Sequence, residues 1–450
     1  MSTADSQPSA TATSRDTEAA TGDPHGHSSA LRALRVAMVT PDYPPDVIGG
    51  GGVSCHLLVR HLRERGLVVD VYALTERARQ ARTRRHQPPS TSPLPVSEPA
   101  GSDVRLSAAG GRLGRNLRAF AAVRRRVSDY DLVHVYDASL LPAATLIHCL
   151  ARPRAPVVMH LNNLQGACFT PELCLKEDCD RHTWLKSIRC AIVDPEPSCE
   201  LRRLLLVHPM FHIVNRMARL LPLFVAISAD LKARYVASGF PAERIVVVPN
   251  MLDERLFPPR EVERKVGSGD ELTILCVGQL DHRKGAQDLV AAYARLPAQL
   301  QRRARLTLLG AGKDEQALRE LIRQYDIGDR VQVRYCRYDN LPDEYAAADV
   351  FVKPACWPEP FGRTCLEALA CALPILAADV PSAREILGDG ALYYRPFHVD
   401  DLAAKLGQLI DSEQLRHDTA TRAPDRLARY MPSKVVDRLL ELYQTCRTGP

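Results

Sequence analysis

Nowhere in the 450 residues do apolar side chains run on for the roughly 20 positions that a bilayer-spanning helix needs. The most apolar later region, Leu204 to Ser228, is broken by His208, Pro209, His212, Asn215, Arg216 and Arg219, so it predicts a buried helix followed by a strand. Met1 to Ser29 likewise lacks a long apolar run and is rich in Ser, Thr, Ala and Asp. It reads as a disordered tail rather than a signal peptide or anchor, which makes the cytoplasm the expected location. A concentrated charge of one sign is also missing. With 59 basic and 53 acidic residues the net charge is +6, unlike the strongly basic face of a nucleic-acid binder. Anionic small molecules, and peripheral contact with an anionic inner membrane face, are compatible with that mild excess.

Closely spaced cysteine pairs are scarce, although the chain has 13 cysteines. Cys168, Cys174, Cys179, Cys190 and Cys199 cluster with His182, but only the gap between Cys174 and Cys179 approaches zinc-ligand spacing. Reduced thiols are the default, and no structural metal is expected. Two glycine-rich fingerprints are absent as well. Gly49, Gly50, Gly51 and Gly52 do not form G-x-G-x-x-G, because position 54 is Ser. Gly310, Gly312 and Lys313 fall short of a Walker loop. A nicotinamide enzyme is therefore disfavoured.

What is present is an alternation, twice over, of short β-branched runs, glycine-containing turns and helical patterns, the pattern of parallel α/β sheets. The first half predicts strands at 35–40, 68–74, 132–136, 157–160, 224–227 and 245–248, with Arg77 to Asp103 as a long exposed loop. The second predicts strands at 272–277, 306–309, 331–335, 350–352 and 375–377. The expected fold class is α/β, two doubly wound Rossmann-like domains facing a central cleft. The expected organisation is a tail to residue 30, a first domain over 31–256, a linker over 257–270, a second domain over 271–430, and a C-terminal helix and tail over 431–450 that returns to the first domain.

One stretch carries more chemistry than the rest: Trp357 to Pro374, WPEPFGRTCLEALACALP. Pro358 and Pro360 hold Glu359 in extended or turn geometry, and Gly362 permits a sharp turn, so a helix can start only at about Arg363. Glu359 then lies on a loop and Glu367 inside the helix. A new helix N-terminus suits a phosphate, and flanking carboxylates can accept hydrogen bonds from sugar hydroxyls.

Taken in order, PDYPPDVIGGGGV, VVMHLNN, VAIS, RIVVVPNMLD, VGQLDHRKG, LTLLGAGKDEQAL and EPFGRTCLEALACALPIL resemble the retaining GT-B glycosyltransferases of family 4, from about Arg35 to Tyr443. The resemblance implies transfer of a sugar from a nucleoside diphosphate sugar to an acceptor hydroxyl or amine on a glycan, lipid or small natural product, with no cofactor. It gives Glu367 to the nucleotide ribose, and Glu359 to hydroxyls of the transferred sugar. Phe361, Gly362, Arg363 and Thr364 lie close by on the donor side. It gives Lys284 to the donor diphosphate and His160, with Asn162 nearby, to the cleft beside the reacting sugar. The glycine run at 49–52 faces the ligand across the cleft, and the cysteine segment after His160 shapes the acceptor side. The family usually pairs the lysine with an arginine where this chain has Gln279 after Gly278, so either Gln279 or Arg283 serves the diphosphate. Glu385 matches a glutamate that follows the donor loop. Tyr335, Cys336 and Arg337 are candidates for the base pocket. Asp129-Tyr130-Asp131 and Asp178-Cys179-Asp180 satisfy a D-x-D pattern, but no metal dependence is expected. A sugar phosphorylase or epimerase, or a non-catalytic nucleotide-sugar-binding subunit, are the alternatives.

Overall fold

The computed structural model describes residues 34–44, 49–75, 101–107, 111–152, 155–166, 208–261, 271–357, 359–422 and 426–448. The N-terminal tail, most of the predicted 77–103 loop, the cysteine segment 168–199 with its D-x-D pattern, and residues 262–270 of the expected linker lie outside them.

Two parallel sheets carry the chain. The first contains β1 (Arg35–Thr40), β2 (Val68–Thr75), β3 (Asp103–Ser107), β4 (Leu132–Tyr136), β5 (Val157–Leu161), β6 (Leu223–Ala226) and β7 (Ile245–Val247), in the order β3-β2-β1-β4-β5-β6-β7. The second contains β8 (Leu272–Val277), β9 (Ala304–Leu309), β10 (Val331–Arg334), β11 (Val350–Lys353), β12 (Ile375–Ala378) and β13 (Leu392–Tyr394), in the order β10-β9-β8-β11-β12-β13. Every pairing is parallel, and in each sheet the order reverses beside the first strand, between β1 and β4 and between β8 and β11. Ligands of open α/β sheets bind at the carboxyl ends of strands at such reversals.

Helices cover both faces of the first sheet, which is why strands such as Leu132–Tyr136 and Val157–Leu161 are buried at every position. The helices that bear on the argument are α1 (Gly50–Glu64), α2 (Gly111–Arg124), α3 (Leu141–Leu150), α4 (His208–Ala218), α5 (Ala229–Ala237), α6 (Arg363–Ala370), α7 (Pro381–Leu387) and α8 (Pro432–Thr448). The C-terminal helix α8 does return to the first sheet. Val435, Val436, Leu439 and Tyr443 pack with Val36, Met38 and Leu58, and the Tyr443 hydroxyl meets His134 Nδ1 at 2.5 Å.

Three expectations need correction. The expected loop to Asp103 is followed by an unanticipated edge strand, β3, whose alternating half-exposure left no apolar run to read. The short strand β13 is also additional to the expected set. The region 204–228 does give a helix and a strand, but the described helix is not buried: Met210, Ile213, Met217 and Leu220 form an exposed row. Among the described residues no helix is long and apolar enough to cross a membrane.

Candidate active site

The two sheets face each other across a cleft of about 840 Å³. On the first-domain side the chain leaves β1 and starts α1 at the glycine run, so Gly49, Gly50 and Gly51 line the cleft while Gly52 is buried. Asn162 joins them just after β5, its amide donating to Asp137 Oδ2 at 3.1 Å. Tyr136 and Asn250, hydrogen-bonded to each other at 3.1 Å, form the floor beside them.

His160 does not line the cleft. It is buried behind Tyr136, with ring centroids 4.1 Å apart, and its Nδ1 lies 3.2 Å from His134 Nε2, while its Nε2 has no partner. Burial, and secondarily His134, hold its pKa well below the ordinary histidine value, so the ring is neutral at pH 7. Asn162, two residues on, presents the polar group that the resemblance expected of His160.

The second domain supplies the charge. After β8 a single 3-10 turn, His282–Lys284, ends at Gly285, whose φ of 72° is left-handed. A Cβ there would sit 2.1 Å from the Pro354 carbonyl oxygen, so glycine lets this turn press against the loop that follows β11. That approach delivers Lys284 to the cleft, where its Nζ contacts Glu359 Oε1. Lys353, the last residue of β11, reaches the other oxygen of the same carboxylate, Nζ to Oε2 at 2.5 Å. Burial is the main cause that lowers Lys284, to about 7, with the charges of Lys353 and Arg283 behind it; the Asp281 carboxylate pulls the other way.

Helix α6 begins at Arg363, with Gly362 as its N-cap, as the proline and glycine spacing predicted. Phe361, Arg363 and Thr364 line the cleft, and the Thr364 hydroxyl is buried without a partner. A bound ligand is the natural acceptor or donor for such a group. Glu367 is one turn deeper. It is buried, accepts from the Tyr345 hydroxyl at 2.8 Å, and lies 3.8 Å from the Arg363 guanidinium. Burial raises its pKa, with Arg363 and the Tyr345 hydrogen bond opposing.

Gly278 and Gln279 line the cleft, but Arg283 does not. Asp281 takes its guanidinium with both oxygens, at 2.9 and 3.0 Å, and the group lies 5.6 Å above the Trp357 ring. Glu385, on α7, is elsewhere as well: both its oxygens accept from the Ala229 amide at the start of α5, 2.9 Å away, which ties the second domain to the first. Cys336 lines the cleft, whereas Tyr335 and Arg337 do not. Asp129 and Asp131 sit away from it, holding Arg126 at 3.1 Å and the Arg35 amide at 2.9 Å. Asp281, His282 and Asp314 come close enough to share a cation, although Arg283 and Lys313 already hold the Asp281 carboxylate.

Sequence reasoning missed Lys353. A lysine ending the otherwise apolar run VFVK, just before Pro354, was the available signal.

Two all-parallel sheets, with paired cations at the reversal point of one and a glycine-started helix of the other opposite, define a two-domain α/β protein of GT-B architecture with a cleft between the domains. Sequence comparison agrees on both halves: Glycosyltransferase Family 4 matches residues 48–256 and Glycosyl transferases group 1 matches residues 260–426. The chain belongs to the group 1, family 4 glycosyltransferases, and it is a glycosyltransferase. A D-inositol 3-phosphate glycosyltransferase of Nocardiopsis dassonvillei is 29% identical, the match covering 92% of this chain and 95% of that one. A 2-deoxystreptamine N-acetyl-D-glucosaminyltransferase of Streptomyces fradiae is also 29% identical, over 89% and 91% of the two chains. The crystal structure of HepE from Anabaena in complex with UDP has a TM-score of 0.65 at 19% identity, covering 91% of this chain and all of that one. At that identity the likeness concerns the fold.

Proposed function

We propose that the protein moves a sugar from a nucleoside diphosphate sugar to an acceptor hydroxyl or amine, with retention at the anomeric carbon. The observation that carries this reading is Lys284, delivered by a glycine-terminated turn to Glu359 in the cleft between the sheets. An ammonium there can hold the diphosphate and stabilise the negative charge that builds on it as the glycosidic bond breaks. Glu359, once relieved of the lysines, accepts from hydroxyls of the sugar. The nucleoside lies towards α6, where Thr364 offers an unpartnered hydroxyl and Glu367 stands one turn behind for the ribose. The acceptor enters from the side of Gly49 to Gly51 and Asn162.

In this mechanism the bond from the anomeric carbon to the phosphate oxygen breaks, and its electron pair stays on the departing phosphate. The acceptor attacks from the same face and gives its proton to that phosphate oxygen. No enzymic nucleophile is needed, and the protein contributes alignment, water exclusion and charge stabilisation. With lysines neutralising the leaving group, transfer runs without a resident metal. UDP and UDP-glucose in the HepE structures support a nucleotide-sugar donor. A mass-spectrometric screen of nucleotide sugars for release of free nucleoside diphosphate tests the reading. One donor consumed only with acceptor present, and an α-linked product from an α-linked donor, are expected. Release of nucleoside diphosphate from no donor, or an inverted product, would overturn it.

A further inference from the structure

We infer that Lys353 is the second cation of the leaving-group site, binding the donor diphosphate beside Lys284. This rests on the nucleotide-sugar reading and deepens it.

Lys353 occupies the end of β11, the strand paired with β8 at the sheet's reversal point. Its neighbours on that strand, Val350 to Val352, are wholly buried, and Lys353 itself is only 9% exposed. Burying an ammonium is costly unless an anion and hydrogen-bond acceptors receive it. Here the anion is Glu359, but Lys284 holds the other oxygen of the same carboxylate. Two lysine side chains thus share one carboxylate on the cleft wall, one more cationic group than that carboxylate needs. A partner for Glu359 alone would require one lysine.

Among the described residues, Arg283 is held by Asp281 and Arg363 is taken by Ser54, Tyr338 and Glu367, while Lys313 is largely exposed and 3.5 Å from Asp281. Gln279, at the mouth of the cleft, brings no charge. A pyrophosphoryl group provides one anionic oxygen for each lysine. On binding it takes both ammonium groups from Glu359, which frees that carboxylate for the sugar hydroxyls. Lys353 is therefore a ligand of the substrate and not only a strut for the loop at 354–362.

The test compares each of UDP, GDP and ADP with its own nucleoside by calorimetry, on the full chain and on Lys353→Met. For whichever base binds, the ratio of nucleoside to nucleoside diphosphate Kd is expected to fall about tenfold or more in Lys353→Met, as loss of a charge-assisted contact predicts, with the nucleoside Kd changed by less than about twofold. Lys353→Arg should keep the ratio within about threefold, and adding Gln279→Arg to Lys353→Met should restore part of it. Should Lys353→Met fail to fold, Glu359→Gln and Lys353→Met/Glu359→Gln provide the same comparison without a buried carboxylate that has lost one of its two lysines. An unchanged ratio, or equal weakening of nucleoside and diphosphate, would overturn the assignment of Lys353 and leave the donor reading standing. A wild-type chain that binds none of the three diphosphates would overturn the donor reading and this inference with it.

Discussion

Arg363 donates from its guanidinium to the Ser54 hydroxyl 3.0 Å away, joining the first turn of α6 to the opening turns of α1 across the cleft. The same side chain lies against the glycine run, since a Cβ on Gly50 would come within 3.1 Å of Arg363 Cδ. The closed arrangement of the two domains therefore passes through residues that also line the ligand cleft. Ser54→Ala removes this hydrogen bond, together with the one Ser54 makes to Tyr136, and leaves Arg363 on Tyr338 and Glu367. We expect kcat/KM to fall about tenfold, from a hydrogen bond to a charged group, with Tm within about 2 °C of the parent. Steady-state kinetics and a thermal melt check it; an unchanged kcat/KM would mean that closure does not depend on the contact.

In the proposed mechanism Lys284 stabilises the departing oxygen, so Lys284→Ala should lower turnover about 100-fold or more, the range measured for loss of a single oxyanion donor. Turnover must be measured at saturating donor, because weaker diphosphate binding alone would raise KM and leave kcat intact. A folded Lys284→Ala protein with unchanged kcat would remove the residue from the chemistry.

The lysine also sets a pH dependence. In the ligand-free protein Lys284 lies at about 7, and a diphosphate that favours the ammonium raises it. Between the free and bound values, binding must take up a proton. Affinity for the matching nucleoside diphosphate should be flat well below pH 7 and fall by up to about tenfold per pH unit above it. Calorimetry at pH 8 in two buffers of different ionisation enthalpy should show proton uptake, and Lys284→Met should lose it. Proton release would contradict the assignment.

Much of this site was readable before any coordinates. Strands 35–40, 132–136 and 272–277 coincide with their β-branched runs, and α6 starts at Arg363 because two prolines and a glycine leave no earlier start. What could not be read depends on contacts between distant segments. Lys353 resembles an ordinary lysine at a strand end until β11 and β8 are laid side by side and Glu359 folds back over both. Arg283, one of the two alternatives for the diphosphate, is diverted by Asp281 two residues away and by Trp357 on another loop. His160 and Asn162 are two residues apart, and the packing of His160 behind Tyr136 leaves Asn162 as the one that lines the cleft. Edge strand β3 was missed because half of its side chains face outward.

The histidines behind Tyr136 give a stability prediction that is independent of the reaction. Burial alone holds His134 down to about 3, and burial plus His134 holds His160 well below its ordinary value of 6.5. Both are therefore neutral bases in the folded chain and ordinary histidines in the unfolded one. The unfolded state binds more protons once pH falls below about 6.5, so the stabilisation is complete above that pH and is lost progressively towards the folded values. Each ring contributes a slope of up to about 1.4 kcal/mol per pH unit in that window. Urea unfolding at pH 7.5, 6 and 5 should show stability that drops below pH 6.5, and the drop should be shallower in His160→Leu, which removes one of the buried rings held down in the fold, a set that also includes His56 and His61. An equally steep loss in His160→Leu would mean that other buried histidines, His56 and His61 among them, govern the loss, and that His160 takes up its proton in the fold. A charged His160 beside Tyr136 would then be near enough to the cleft to influence an incoming anion, so the same titration decides whether the residue is a neutral part of the wall or an electrostatic component of the site.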